Sequence, residues 1–164
     1  SRYGGAKSSP LREAAAALSK HIADSVRTAN PSAKVIIMGD LNDDPYNKST
    51  AVTLGAKRNI EDVAPNGLYN TLWRTLDSGV GSLAYNNQWN LFDQIIVSQN
   101  LVSDKLQKDF TLFKTEIFAP SYLISTEGNY KGYPFRSWNG DRYTGGYSDH
   151  FPAFIVLQRE AETK

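Results

Sequence analysis

Short apolar runs separated by polar loops dominate the chain, and they predict a sheet with helices packed on it. Val, Ile and Phe are enriched in four of these runs, at residues 34–38, 92–97, 110–118 and 151–157, which predicts four strands. The first run is continuously apolar and β-branched, so we expect a strand that is buried on both faces.

Helical spacing of apolar residues occurs near the N-terminus. Such residues recur there every three or four positions, at Leu11, Ala15, Leu18, Ile22 and Val26. This spacing predicts a helix over residues 10–28 whose apolar face covers the sheet, and Asn30 and Pro31 are expected to end it. A shorter helix is predicted over residues 47–54, ending at Gly55.

Polar side chains border or interrupt three of the predicted strands. Asp40 and Asn42 follow the first strand, Asp93 lies inside the second, and Asp149 and His150 directly precede the last. Polar residues at the ends of buried strands gather at one rim of a sheet, where sites in α/β folds usually lie, so we expect these side chains to converge. Because a carboxylate among strand residues is costly to bury alone, Asp93 is expected to have a partner.

Composition sets wide limits on function. The 164 residues, of which 40% are hydrophobic, are enough for one domain with its own core. Eighteen basic and seventeen acidic residues give a net charge of +1, which does not require a polyanionic partner and leaves nucleic acid open as one. The absence of cysteine excludes disulfides and thiolate metal sites.

The sequence does not indicate a cellular location. No apolar run approaches the roughly 20 residues of a membrane span. The chain opens at Ser1 without methionine or a signal peptide, so we expect a processed or excised piece. Localisation is therefore unassigned, with secretion or export to the periplasm left open.

Three segments carry a resemblance to a known family: Gly39-Asp40-Leu41-Asn42, the strand at residues 92–98, and Ser148-Asp149-His150-Phe151-Pro152. In order and spacing they resemble the C-terminal signatures of the endonuclease/exonuclease/phosphatase superfamily, which includes deoxyribonuclease I, and three ordered motifs are more specific than one. The resemblance implies an α/β (α+β) fold, half of a four-layer β-sandwich with a mixed sheet covered by helices. It also implies that residues 1–164 form the C-terminal portion of the family's domain.

The resemblance implies a metal-dependent hydrolase of phosphodiesters or phosphomonoesters, a nuclease or a phosphatase. Asp40 resembles the carboxylate that orients the attacking water, and Asn42 the amide that holds a phosphate oxygen. His150 resembles the imidazole that faces the scissile phosphate, and Asp93 the carboxylate that fixes its tautomer. Asp149 resembles a ligand of Mg²⁺ or Mn²⁺.

The departure from the family lies at the front of the chain. In relatives, an N-terminal half supplies the principal metal-binding Glu and a strand-end Asn, and neither is present here. We therefore expect the isolated chain to be impaired, and the inner faces of strands 35–38, 92–97 and 151–157 to need that half or a second copy as a cover. Arg2 is either a phosphate contact or a solvated terminal charge.

Two other classes of function stay open. One is a non-catalytic module that binds phosphate or nucleic acid and has kept the fold. A dedicated nucleic-acid binder could stack bases on Tyr3, Trp138, Tyr143 and Tyr147, although the weak net charge disfavours it. The last three lie in or near a long aperiodic segment, residues 119–147, which is typical of a functional loop or a disordered one.

Overall fold

A mixed four-stranded sheet forms the centre of the computed structural model, which describes residues 5–103 and 105–161. The helices in this part of the chain are α1 (Ser9–Ala29) and α2 (Trp73–Asp77). Its strands are β1 (Ile36–Asp40), β2 (Ala56–Lys57), β3 (Leu68–Asn70), β4 (Leu83–Tyr85), β5 (Gln88–Asn90), β6 (Asp93–Ser98), β7 (Thr111–Ile117), β8 (Trp138–Asn139), β9 (Arg142–Tyr143) and β10 (Ala153–Gln158). The four strands predicted from the apolar runs are confirmed as β1, β6, β7 and β10.

The sheet has the strand order β1-β6-β3-β2, so β1 and β2 lie at its edges. β6 runs antiparallel to both β1 and β3, whereas β2 and β3 are parallel. β7 and β10 form a separate antiparallel pair, and β4 with β5 and β8 with β9 form two short hairpins. The strand that ends at Asp40 and the strand that begins at Asp93 therefore place their polar ends at one rim.

β6 is covered on both of its faces because successive side chains of a strand point to opposite sides. Ile95 and Val97 belong to one buried cluster, against which residues of β7 and β10 pack. Ile96 belongs to a second cluster on the other face, together with Leu54 and Leu68. The expected burial of this strand is confirmed, and the expectation that residues 92–97 lack a cover is wrong, because this chain's own elements supply one. In β10, alternate residues pack on the first cluster, but the whole strand is only half-buried.

β1 departs from the prediction of a strand buried on both faces. Met38 is 72% exposed and Ile36 is 39% exposed, and only Ile37 packs on a buried cluster. The physical reason is position, because β1 is an edge strand and its only ladder among the described strands is with β6. Sequence alone gives the apolar content of a strand and not its place in a sheet.

The helix predicted over residues 10–28 is confirmed as α1 and ends at its cap, Asn30, but most of its predicted apolar face does not cover the sheet. Four residues of the predicted face are exposed, namely Leu11, Leu18, Ile22 and Val26, which we call the α1 stripe. The buried side of α1 lies about 100° around the helix from this stripe and includes Arg12 and Ala23, and α1 contacts Ser49–Leu54. A buried charge and small residues thus decide the orientation of this helix, and the α1 stripe is left at the surface.

Two further segments complete the architecture. Ser49–Leu54 forms a π-helical turn that ends at Gly55 in a left-handed conformation, as the predicted short helix requires. The long segment 119–147 contains the β8–β9 hairpin and short helical turns, so it is an ordered loop. In the described part of the chain, no helix has both the length and the apolar character needed to cross a membrane.

Candidate active site

The side chains of Asp93 and His150 form a hydrogen-bonded ion pair at the rim of the sheet. His150 Nδ1 lies 2.7 Å from Asp93 Oδ2, and both side chains are about four-fifths shielded from solvent. Asp93 is the first residue of β6, and His150 lies three residues before β10 begins. The structure therefore gives Asp93 the partner that its position in the sequence requires.

The surroundings shift the pKa values of the two groups in opposite directions. Burial acts to raise the pKa of Asp93, but the hydrogen bonds from His150 and Ser82 outweigh it, so the pKa falls below the ordinary 3.8. The hydrogen bond to Asp93 raises the pKa of His150 above the ordinary 6.5, against a smaller effect of burial. The charges of Asp93, Asp149 and Asp40 act in the same direction on His150.

The signs of these pKa shifts define the pH range in which the pair stabilises the fold. A lowered carboxyl pKa contributes stability above 3.8 that is lost as the pH falls through the folded value. A raised histidine pKa contributes stability below 6.5 that is lost as the pH rises through the folded value. Both contributions are present between these two values, and the raised pKa extends the pH range in which the imidazole of His150 is protonated.

Ser82 positions both members of the pair, and sequence reasoning missed it. It is fully buried, its hydroxyl accepts a hydrogen bond from the amide of Asp93 at 3.3 Å, and its carbonyl accepts one from the amide of Phe151 at 2.7 Å. A Cβ on the preceding Gly81 would lie 2.3 Å from the carbonyl oxygen of Asn90, so only glycine fits there. A single serine gives no signal in the sequence.

Asp40 and Asn42 lie at the same rim. Asp40 is directly opposite Asp93 in the β1–β6 ladder, which puts the two side chains on the same face of the sheet. The backbone amide of Asn42 donates to Asp40 Oδ1 at 2.8 Å, and its φ of 54° is one that asparagine tolerates. The ladder continues through the amide of Leu41, which donates to the carbonyl of Phe92 at 2.8 Å.

Asp149 is exposed next to His150, and it is the residue that we expect to bind a metal ion. Within residues 5–103 and 105–161, no three or more His, Cys, Asp or Glu side chains are grouped closely enough to hold a metal ion. Mg²⁺ needs only one or two carboxylates, because it keeps several waters and binds substrate phosphate. Asp149 and Asp40 are oxygen donors of that kind. Arg2 and Tyr3 lie outside the described residues.

Two further carboxylates of the loop are structural. Asp43 is buried, with Arg12 Nε 2.7 Å and Ser49 Oγ 2.7 Å from its Oδ2. Asp44 is also buried and accepts hydrogen bonds from the amide of Leu91 at 2.7 Å and from the hydroxyl of Tyr46 at 3.0 Å. These contacts fix the loop that carries Asn42. In the sequence, nothing distinguishes these two carboxylates from the other polar residues of the turn.

Comparison with known proteins decides which family the chain belongs to. The model of the Endonuclease/Exonuclease/phosphatase family matches residues 1–159, nearly the whole chain. The chain belongs to the endonuclease/exonuclease/phosphatase family. The α/β class expected from the resemblance, a mixed sheet with helices, is confirmed. No match was found among curated proteins or among solved structures.

Membership in the endonuclease/exonuclease/phosphatase family gives the rim a chemical context, since the family is generally hydrolytic. The rim combines a carboxylate opposite another carboxylate, an amide next to a tight turn, and an imidazole with a raised pKa. Such a set can orient a water, hold an anionic oxygen and supply a proton.

Proposed function

We propose that this chain carries the reaction site of a metal-dependent hydrolase of phosphate esters. The observation that carries the proposal is the Asp93–His150 pair, 2.7 Å apart and opposite Asp40, in a member of a generally hydrolytic family. Hydrolysis of a phosphodiester or a phosphomonoester needs a positioned water, a neutralised phosphate and a proton for the leaving group. The residues at the rim can meet each of these needs.

In the proposed reaction, Asp40 orients the attacking water and Asn42 holds a phosphate oxygen. The water oxygen forms the new bond to phosphorus and gives its proton to the carboxylate of Asp40, while the bond to the leaving oxygen breaks. Because Nδ1 of His150 is engaged by Asp93, Nε2 is the nitrogen left for the substrate, and its proton passes to the leaving oxygen. The hydrogen bond to Asp93 raises the pKa of His150, which favours the protonated imidazole that this step needs.

A divalent cation fits this arrangement through Asp149. Bound there, Mg²⁺ or Mn²⁺ would neutralise the charge on the phosphate and on the leaving oxygen. Asp149 also contributes to the raised pKa of His150, so its negative charge acts on the imidazole in the absence of metal.

The proposal predicts metal-stimulated turnover of at least one ester in a panel of phosphodiesters and phosphomonoesters. The panel would include oligonucleotides, a phospholipid, an inositol phosphate and a sugar phosphate, each assayed with Mg²⁺, with Mn²⁺ and with EDTA. With the family's N-terminal half added as a separate polypeptide, we expect hydrolysis with the metals and none with EDTA, whereas the isolated chain should turn the esters over more slowly. Saturable binding of the same esters without turnover would instead support the non-catalytic module, and it would contradict the proposed hydrolase.

We also infer that a polypeptide covers the α1 stripe, either the family's N-terminal half as a separate piece or a second copy of this chain. Four large apolar side chains along one helix, with Leu11 75% exposed, form a surface of the kind that marks protein interfaces. The exposed Met38 and Ile36 on the edge strand β1 add apolar surface that this chain leaves uncovered.

Sedimentation tests this inference. We expect the 18.2 kDa chain to sediment as more than a monomer at high concentration, and Leu18→Glu to return it to a monomer because the interface would bury a charge. Ala17→Glu is the matched control, since Ala17 is exposed about 100° around α1 from Leu18. The N-terminal half, added as a separate polypeptide, would compete with self-association. A wild-type chain that stays monomeric and does not bind that half would contradict the inference.

A further inference from the structure

A cleft of about 620 Å³ lies between the β4–β5 hairpin and the loop that carries Asp149. Its lining includes Leu83, Tyr85, Gln88, Asn90, Arg136 and Asp149. Because Asp149 directly precedes His150 in the chain, the cleft opens beside the proposed reaction site. A substrate bound there would extend from the rim of the sheet into the cleft.

Arg136 is the cationic side chain that lines this cleft, and it is half-buried. Its guanidinium lies over the ring of Tyr130, 5.3 Å from the ring centroid, and none of the described carboxylates forms an ion pair with it. Arg136 and Asp149 also line a second, adjoining cleft of about 300 Å³. Two opposite charges thus line the same space without meeting, which leaves room for a ligand between them.

The backbone around Arg136 is held in place by the segment that leads to His150. The amide of Tyr147 donates to the carbonyl of Phe135 at 2.7 Å, and Ser137 Oγ donates to the carbonyl of Tyr147 at 2.8 Å. A Cβ on Gly146 would lie 2.3 Å from the carbonyl oxygens of both Phe135 and Arg136, so the two segments approach as closely as only glycine permits. Arg136 is therefore presented to the cleft by a fixed scaffold.

We propose that Arg136 binds a second anionic group of the substrate, so that the preferred ester carries a phosphate in addition to the scissile one. This inference rests on the proposed hydrolase function, which it deepens. A guanidinium on a fixed backbone matches the paired oxygens of a phosphate, and shelter from water strengthens the contact. The amides of Gln88 and Asn90 line the same cleft and suit the polar group that joins the two phosphates.

Binding of inorganic anions tests the site without requiring turnover. In calorimetric titrations without added metal, we expect wild-type protein to bind pyrophosphate about tenfold or more tightly than orthophosphate. Arg136→Gln is expected to abolish this preference, and Arg136→Lys to retain part of it because the charge remains. Arg142→Gln is the matched control, since Arg142 is an exposed arginine on β9 in the same loop. Equal affinity of the wild type for both anions, or an unchanged preference in Arg136→Gln, would overturn the proposal.

A kinetic experiment identifies the source of the second phosphate. Arg136→Gln is expected to raise KM about tenfold for an ester with a second phosphate and to leave KM for p-nitrophenyl phosphate unchanged. A short oligonucleotide and a hexitol bisphosphate serve as the two substrates with a second phosphate. The substrate whose kcat/KM falls more in Arg136→Gln indicates the substrate class. An Arg136-dependent preference for pyrophosphate without hydrolysis of any ester would refute the hydrolase and keep the anion site. Hydrolysis with the same KM in the wild type and in Arg136→Gln would support the hydrolase and refute the anion site.

Discussion

Replacing His150 with alanine is expected to lower the rate of phosphate-ester hydrolysis by about 10²-fold or more, and to leave the fold intact. In the proposed reaction the imidazole supplies the proton for the leaving group, and no other described histidine lies at the rim. The measurement is kcat for the best ester of the panel, with a thermal unfolding curve for each variant.

His21→Ala is the control for this variant, because His21 is exposed on α1 and lies far along the chain from the rim. It should keep wild-type kcat. The kcat of Asp93→Asn should lie between those of the two variants, because this change removes the charge that raises the pKa of His150 but leaves the imidazole in place. A His150→Ala protein that turns over at the wild-type rate would refute the assignment of the imidazole.

Asp43→Ala is expected to destabilise the fold by about 3–5 kcal/mol. The change removes the carboxylate that lies 2.7 Å from Arg12 Nε and leaves a buried guanidinium without its counter-charge, since the side chains of Arg12 and Asp43 are only 8% and 4% exposed. It also removes the acceptor of the Ser49 hydroxyl. The measurement is the free energy of unfolding from urea denaturation monitored by circular dichroism.

Asp24→Ala is the matched control, because Asp24 forms an ion pair with Lys20 at 2.6 Å on the exposed side of the same helix. Its loss should cost less than about 1 kcal/mol. Replacing both Arg12 and Asp43 with leucine should recover much of the lost stability, because a buried pair is often replaceable by apolar side chains of similar size. Equal losses for Asp43→Ala and Asp24→Ala would contradict the structural role of the buried pair.

The sequence predicts the parts of this site that depend on local pattern. Asp40, Asp93 and His150 each border or interrupt an apolar run, and a polar residue in that position is informative because burial penalises it. The segments also stand in a family order that short motifs can reveal. The strands at which these residues lie are predictable because each is rich in Val, Ile or Phe.

The missing parts depend on contacts between distant segments. Arg12 and Asp43 are 31 positions apart, and nothing in either neighbourhood indicates that the two charges pair in the interior. Ser82 acts through hydrogen bonds to two other segments, so a sequence scan sees an ordinary serine. The predicted contact face of α1 is wrong because periodicity locates an apolar stripe but does not show which side of the helix packs on the rest of the protein.

The hydrogen bonds of Ser82 tie the spacing of Asp93 and His150 to a segment outside the long loop between β7 and β10. One buried serine fastens the start of β6 and the residue after His150, so the distance between carboxylate and imidazole is set locally. Changes in residues 119–134, ahead of the contact between Phe135 and Tyr147, should therefore disturb the Asp93–His150 pair little. A fold built this way would let the loop that lines the cleft diverge while the geometry of the pair is inherited unchanged.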